Sequence, residues 1–87
     1  MIEREVTIRN RTGLHTRPAA VLVKTASQFK AEFLIYKDGM EINGKSIIGV
    51  MTLAAEQGSK LLLRFVGEDE EAAASAVVAL FESGFDE

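Results

Sequence analysis

Apolar and polar residues alternate from Ile2 to Arg9, with Ile2, Val6 and Ile8 on one side of an extended chain and Glu3, Glu5, Thr7 and Arg9 on the other. Arg4 interrupts the inward row, yet the period still predicts a half-buried strand over residues 2–9. Asn10, Thr12 and Gly13 are turn formers and end it. The period then changes. Ala19, Leu22, Val23 and Ala26 fall at i, i+3, i+4 and i+7, and Phe29 extends the stripe, which makes one face of an amphipathic helix. Pro18 fixes where that helix starts, because the first turn is the one place where a missing N–H costs no intrahelical bond. A start at about residue 16 or 17 follows.

Ala31 to Lys37 is rich in aromatic and β-branched residues and reads as a strand, and Asp38-Gly39 is the two-residue signature of a type I′ hairpin. Met40 and Ile42 alternate on the returning strand, which Gly44 ends. Ser46 to Gln57 reads as a short helix with Ser46 as N-cap and Gly58 as its stop, although Gly49 inside it lowers the propensity. Lys60 to Val66 is a strand. Glu68 to Ser83 is a helix with Ala73, Ala76, Val77 and Leu80 facing inward, acidic residues 68–71 at its positive end, and Gly84 after it. The order is βαββαβα, with no repeat and no linker, so residues 1–87 form a single domain of the α+β class. Such an order predicts two layers, a mainly antiparallel sheet with all helices on one face. The first and fourth strands are expected at its centre.

Composition narrows the chemistry. Eighty-seven residues, 47% apolar and 26% charged, describe an ordinary globular domain too small for a deep multi-domain cleft. Without cysteine there is no disulfide framework, zinc–thiolate site or thiol nucleophile, and a single histidine cannot build a multi-histidine metal site. No metal or cofactor is expected. Apolar runs such as Leu61 to Leu63 fall far short of the roughly 20 residues of a membrane span. Met1 to Glu5 carries no signal-peptide pattern. A cytoplasmic location without membrane insertion is expected.

The net charge of −3 argues against nucleic acid as a partner and conceals a gradient. Residues 1–30 carry six basic and two acidic groups, whereas residues 61–87 carry one basic and seven acidic. A local anion site or a charged docking face fits the basic third, and scattered solvated charge is the plainer alternative.

His15 lies where the loop Asn10 to Leu14 meets the first helix, with Arg17 two residues on and Arg9, Arg11 and Lys24 nearby in sequence. An anion that arrives at a helix start, or is attached there, meets unpaired N–H groups and the positive end of the macrodipole. A neutral imidazole there is able to accept a phosphoryl group, and the adduct would take hydrogen bonds from the amides and Arg17. The alternative is a capping or loop histidine, silent in chemistry, in a small regulatory docking module.

Gly39 to Ser46 (GMEINGKS) satisfies G-x-x-x-x-G-K-S, the pattern of phosphate-cradling loops in nucleotide-binding proteins. Met40 and Ile42 alternate as a strand there, and the chain is too short for the parallel sheet such loops sit on. Nucleotide binding is therefore not expected. Ile47, Ile48 and Met51 cannot all share one core with Val50, Leu53 and Ala54, so either some apolar side chains form an exposed docking patch or the helix is buried on two sides.

Thr12 to Ala20 (TGLHTRPAA) resembles the active-site signature of the HPr family, the histidine-containing phosphocarriers of the bacterial phosphoenolpyruvate-dependent phosphotransferase system. Asn43 to Met51 (NGKSIIGVM) is similar to the regulatory serine region of the same family, and length and element order agree over all 87 residues. The resemblance implies an open-faced β-sandwich of four antiparallel strands with three helices on one face. It implies that His15 takes a phosphoryl group from Enzyme I as a pros-phosphohistidine and passes it to a histidine of an Enzyme IIA domain, acting as a carrier and not an enzyme. Arg17, with Thr12 and Thr16, would ligate the phosphoryl group, and Thr16 stands where the family usually has alanine. Partner contacts would come from Thr16, Arg17, Ala20, Lys24, Ile47, Ile48 and Met51. Ser46 is similar to the serine modified by HPr kinase/phosphorylase, and a monomer is expected. The run from Val78 to Asp86 is similar to the nitrogen-related branch, NPr, so sugar uptake and nitrogen-linked regulation both stay open.

Overall fold

The computed structural model describes residues 1–87 as β1 (Ile2–Thr7), α1 (Thr16–Ala26), β2 (Glu32–Lys37), β3 (Met40–Asn43), α2 (Ile47–Thr52), β4 (Lys60–Val66) and α3 (Glu70–Glu82), followed by a 3₁₀ turn at Gly84–Asp86. The four strands make one antiparallel sheet in the order β1-β4-β2-β3. Strands β4 and β2 are central, which corrects the expectation for the first strand: β1 is an edge. That position explains Arg4. An inward-phase residue on an edge strand reaches solvent at the rim, and Arg4 is exposed beside the groove between β1 and α3.

Inward residues of the three longer strands, Val6, Phe33, Ile35, Leu61, Leu63 and Phe65, pack against Ala19, Leu22 and Ala26 of α1, Val50 of α2 and Ala73, Val77 and Phe81 of α3. Phe33 and Phe65 are register partners and stack with centroids 4.8 Å apart, an arrangement worth about 0.5–1.5 kcal/mol beyond burial. The hairpin turn takes positive φ at both Asp38 (49°) and Gly39 (82°), as a type I′ turn requires, and joins the Lys37–Met40 pair.

Two helices differ from the sequence pattern. Helix α2 stops at Thr52, because Ala54 takes a left-handed φ of 48° and turns the chain so that Leu53 and Ala55 both point into the core. Helix α3 starts at Glu70 and buries Ala73, Ala74, Val77 and Phe81, leaving Ala76 and Leu80 at the boundary. The ring of Phe81 decides the face, since it has the most apolar area to hide. Asp69 precedes α3 without capping it. Its carboxylate instead accepts the N–H groups of Lys30 and Ala31, each at 2.8 Å, fastening the start of β2 to the start of α3.

Candidate functional site

The loop after β1 is held at both ends. Ile8 and Leu14 are buried, Ile8 exchanges backbone bonds with Ser59 and Gly58, and the Leu14 N–H donates to the Ala55 carbonyl at 2.9 Å. Between them Asn10 is buried and its amide donates to the Gly13 carbonyl at 2.8 Å, closing the turn that delivers His15. His15 is the N-cap of α1 with extended backbone, and its side chain does not cap the helix. The ring is free for other use and remains 44% exposed.

The first intrahelical acceptor is the His15 carbonyl, bonded by the Ala19 N–H at 2.9 Å. Pro18 has no N–H, so Thr16 and Arg17 present two unpaired amides at the positive end of an 11-residue helix. An open basin beside them is lined by Arg9, Asn10, Arg11, Thr12, His15, Arg17, Gln57 and Glu87. Three guanidinium groups against one carboxylate give it a net positive charge. Lys24 is not part of it; it lies on the exposed face of the last turn of α1, where it faces the negative end of the dipole.

Asn10, Gln57 and Glu87 were not among the residues the sequence pointed to. Gln57 reaches across to the Arg9 carbonyl at 3.0 Å and braces the loop. Glu87 accepts from the Thr12 hydroxyl at 2.5 Å and from the Asn10 amide at 3.2 Å, and its other oxygen lies 3.4 Å from His15 Nε2. The Thr12 hydroxyl, then the Asn10 amide and the nearby imidazole, hold the Glu87 carboxyl below the usual carboxylate range.

The question left open at α2 is settled by burial. Val50 and Leu53 point inward, whereas Ile47, Ile48 and Met51 are exposed, Ile48 to 78%. Thr16, Arg17, Ala20 and Lys24 of α1 are exposed as well, and α1 and α2 are in contact. Val21, also exposed, adds apolar area to the same helix. Ser46 is the N-cap of α2, its hydroxyl accepting the Gly49 N–H at 3.1 Å. The stretch that satisfies the nucleotide-loop pattern is strand β3 followed by this cap, and does not form a phosphate-wrapping loop. No helix is long and apolar enough to cross a membrane.

The family model described as the PTS HPr component phosphorylation site matches residues 2–83. The phosphocarrier protein HPr of Xylella fastidiosa (strain Temecula1) is 47% identical over 87 residues, covering 100% of this chain and 98% of its own. That of Treponema pallidum is 45% identical over 87 residues, covering 100% and 99%. A crystal structure of HPr from Thermoanaerobacter tengcongensis superposes with a TM-score of 0.97 at 47% identity, covering 100% of this chain and 98% of that one. An HPr dimer from the same organism is also solved. The NPr of Proteus mirabilis is 41% identical over 85 residues, covering 97% and 94%, so identity alone does not separate the two branches. An exposed imidazole at a cationic helix start is what a carrier must present, and the likeness runs the length of the chain: it belongs to the HPr family, the phosphocarriers that take a phosphoryl group from Enzyme I of the phosphotransferase system and hand it to Enzyme IIA.

Proposed function

We propose that His15 is the residue that carries the phosphoryl group, as a pros-phosphohistidine at Nδ1, and that Arg17, the Thr16 and Arg17 amides and the Thr12 hydroxyl ligate its oxygens. The observation that carries this reading is the pair of unpaired amides beside an exposed imidazole in a basin with three guanidinium groups. In the transfer the Nδ1 lone pair attacks phosphorus on the phosphohistidine of Enzyme I. The new N–P bond forms as the old one breaks, and the electron pair returns to the imidazole of Enzyme I. Donors already aimed at the incoming charge need no reorganisation, so the same site supports the reverse step toward Enzyme IIA.

The domain works as one unit and has no turnover of its own, since the phosphoryl group only passes through it. Its docking face combines Thr16, Arg17, Ala20 and Lys24 of α1 with Ile47, Ile48 and Met51 of α2, apolar area rimmed by positive charge. Ser46 is a regulatory site for HPr kinase/phosphorylase. A phosphate there adds negative charge next to that face and repels acidic partners. The protein acts in the cytoplasm as a monomer, without nucleic acid, metal or cofactor.

The test is incubation with Enzyme I, Mg²⁺ and phosphoenolpyruvate followed by intact mass. One acid-labile phosphoryl addition, absent in His15→Ala, is expected; an undiminished addition in His15→Ala overturns the assignment.

A further inference from the structure

The segment after α3 is strained where it need not be. Gly84, Phe85 and Asp86 take φ values of 64°, 57° and 59°, three consecutive residues in the left-handed region, two of them with side chains that disfavour it. Phe85 offsets that cost by burying its ring edge-on against Phe81, with centroids 5.0 Å apart. Gly84 lies over Asn10, and the Asp86 and Glu87 N–H groups donate back to Ser83 and Gly84. The result is a strap anchored by the buried Phe85 ring. It delivers one carboxylate, that of Glu87, to Thr12, Asn10 and His15.

We propose that Glu87 is a positioning residue for phosphoryl transfer: it holds the Nε2–H of His15, so that the resting imidazole keeps its lone pair on Nδ1. The two ring nitrogens are distinct, and the partner of one fixes the role of the other. A carboxylate 3.4 Å from Nε2 favours the proton on that nitrogen, and the Thr12 and Asn10 donors on its other oxygen keep the carboxylate charged and in place. When the N–P bond forms at Nδ1 no proton has to leave. The ring becomes an imidazolium whose positive charge is shared with Nε2–H, facing Glu87. On return of the phosphoryl group the N–P electron pair goes back to Nδ1, and the starting tautomer is restored. The same carboxylate therefore orients the nucleophile and compensates the charge formed, while Arg9, Arg11 and Arg17, the other charged groups of the basin, are left to the phosphoryl oxygens.

This rests on His15 being the acceptor, and the experiment separates the two. Long-range ¹H–¹⁵N correlation of the neutral imidazole in the whole protein should show the Nε2–H tautomer dominating in the wild type and a mixture in Glu87→Gln. Phe85→Ala, which keeps the carboxylate but removes its anchor, should move the spectrum the same way. Single-turnover phosphorylation by phospho-Enzyme I should slow about tenfold in Glu87→Gln, the lower end of what losing the carboxylate that orients a metal-bound imidazole costs. Identical imidazole shifts in wild type and Glu87→Gln, or a wild-type ring protonated at Nδ1, overturn the proposal. Undiminished phosphorylation of His15→Ala would overturn the acceptor assignment and leave the tautomer result readable on its own.

Discussion

Residue 13 sets where the imidazole can sit. Gly13 has φ +70°, and a Cβ built on it would come within 2.4 Å of the Ala55 carbonyl oxygen, the atom that already accepts from Leu14. Neither the backbone conformation nor the space admits a side chain. Gly13→Ala is expected to destabilise the fold by about 1–3 kcal/mol, read as a lower urea midpoint at unchanged slope. A midpoint equal to that of the wild type would mean that the loop before His15 is not clamped to the segment after α2. His15 itself was legible in the sequence, because turn residues before it and Pro18 after it locate a helix start within one residue. Glu87 was not: its partners Asn10 and Thr12 lie 77 and 75 residues away, and no local pattern encodes a contact made by a strap folding back over a loop.

Helix α2 shows what an element contributes beyond its residues. With six residues it is too short to persist alone, so its cap and its buried Val50 carry most of its stability. Ser46→Ala removes the acceptor for the Gly49 N–H and should cost about 1 kcal/mol in chemical denaturation. Ser46→Asp still offers an oxygen to that N–H and places a negative charge at the helix start, so its stability should stay within about 0.5 kcal/mol of the wild type. Phosphorylation of His15 by Enzyme I should nevertheless slow in Ser46→Asp. Equal transfer rates in the two proteins would remove Ser46 from regulation by this route. The sequence pattern placed the start of α2 but not its end, since the left-handed Ala54 follows from packing Leu53 and Ala55 together and not from any breaker residue. The inward face of α3 differs from the sequence pattern for a related reason: five alanines leave the apolar face undefined until Phe81 finds its place in the core.

At the scale of the molecule, strand order was the part least visible beforehand, because alternation tells which side of a strand faces inward but not which strand lies beside it. The charge gradient was visible and its meaning narrowed. Arg9, Arg11 and Arg17 converge on the basin while Lys24 stands apart, and one acidic residue of the last third, Glu87, returns to the site. Another, Asp69, ties the sheet to α3. The N–H of Lys30, with that of Ala31, holds the Asp69 carboxyl below its ordinary range. Because its folded pKa is depressed, the stability it adds is present above the unfolded value of about 4 and is lost as pH falls through the folded value. Acid titration should therefore lower the denaturation midpoint below about pH 4, with a shallower fall in Asp69→Asn. Equal slopes would assign the acid sensitivity elsewhere.

A phosphocarrier needs one imidazole both to receive and to give up the phosphoryl group. The direct measurement is a two-step relay: label the carrier with [³²P]phosphoenolpyruvate and Enzyme I, isolate it, add an Enzyme IIA domain, and follow the label by rapid quench. The expected result is a single labelled site at His15 that empties at the rate at which Enzyme IIA fills, with no label taken up by His15→Ala. Label on any other residue, or a phosphorylated carrier that keeps its label in the presence of every Enzyme IIA domain of the same genome, would contradict it.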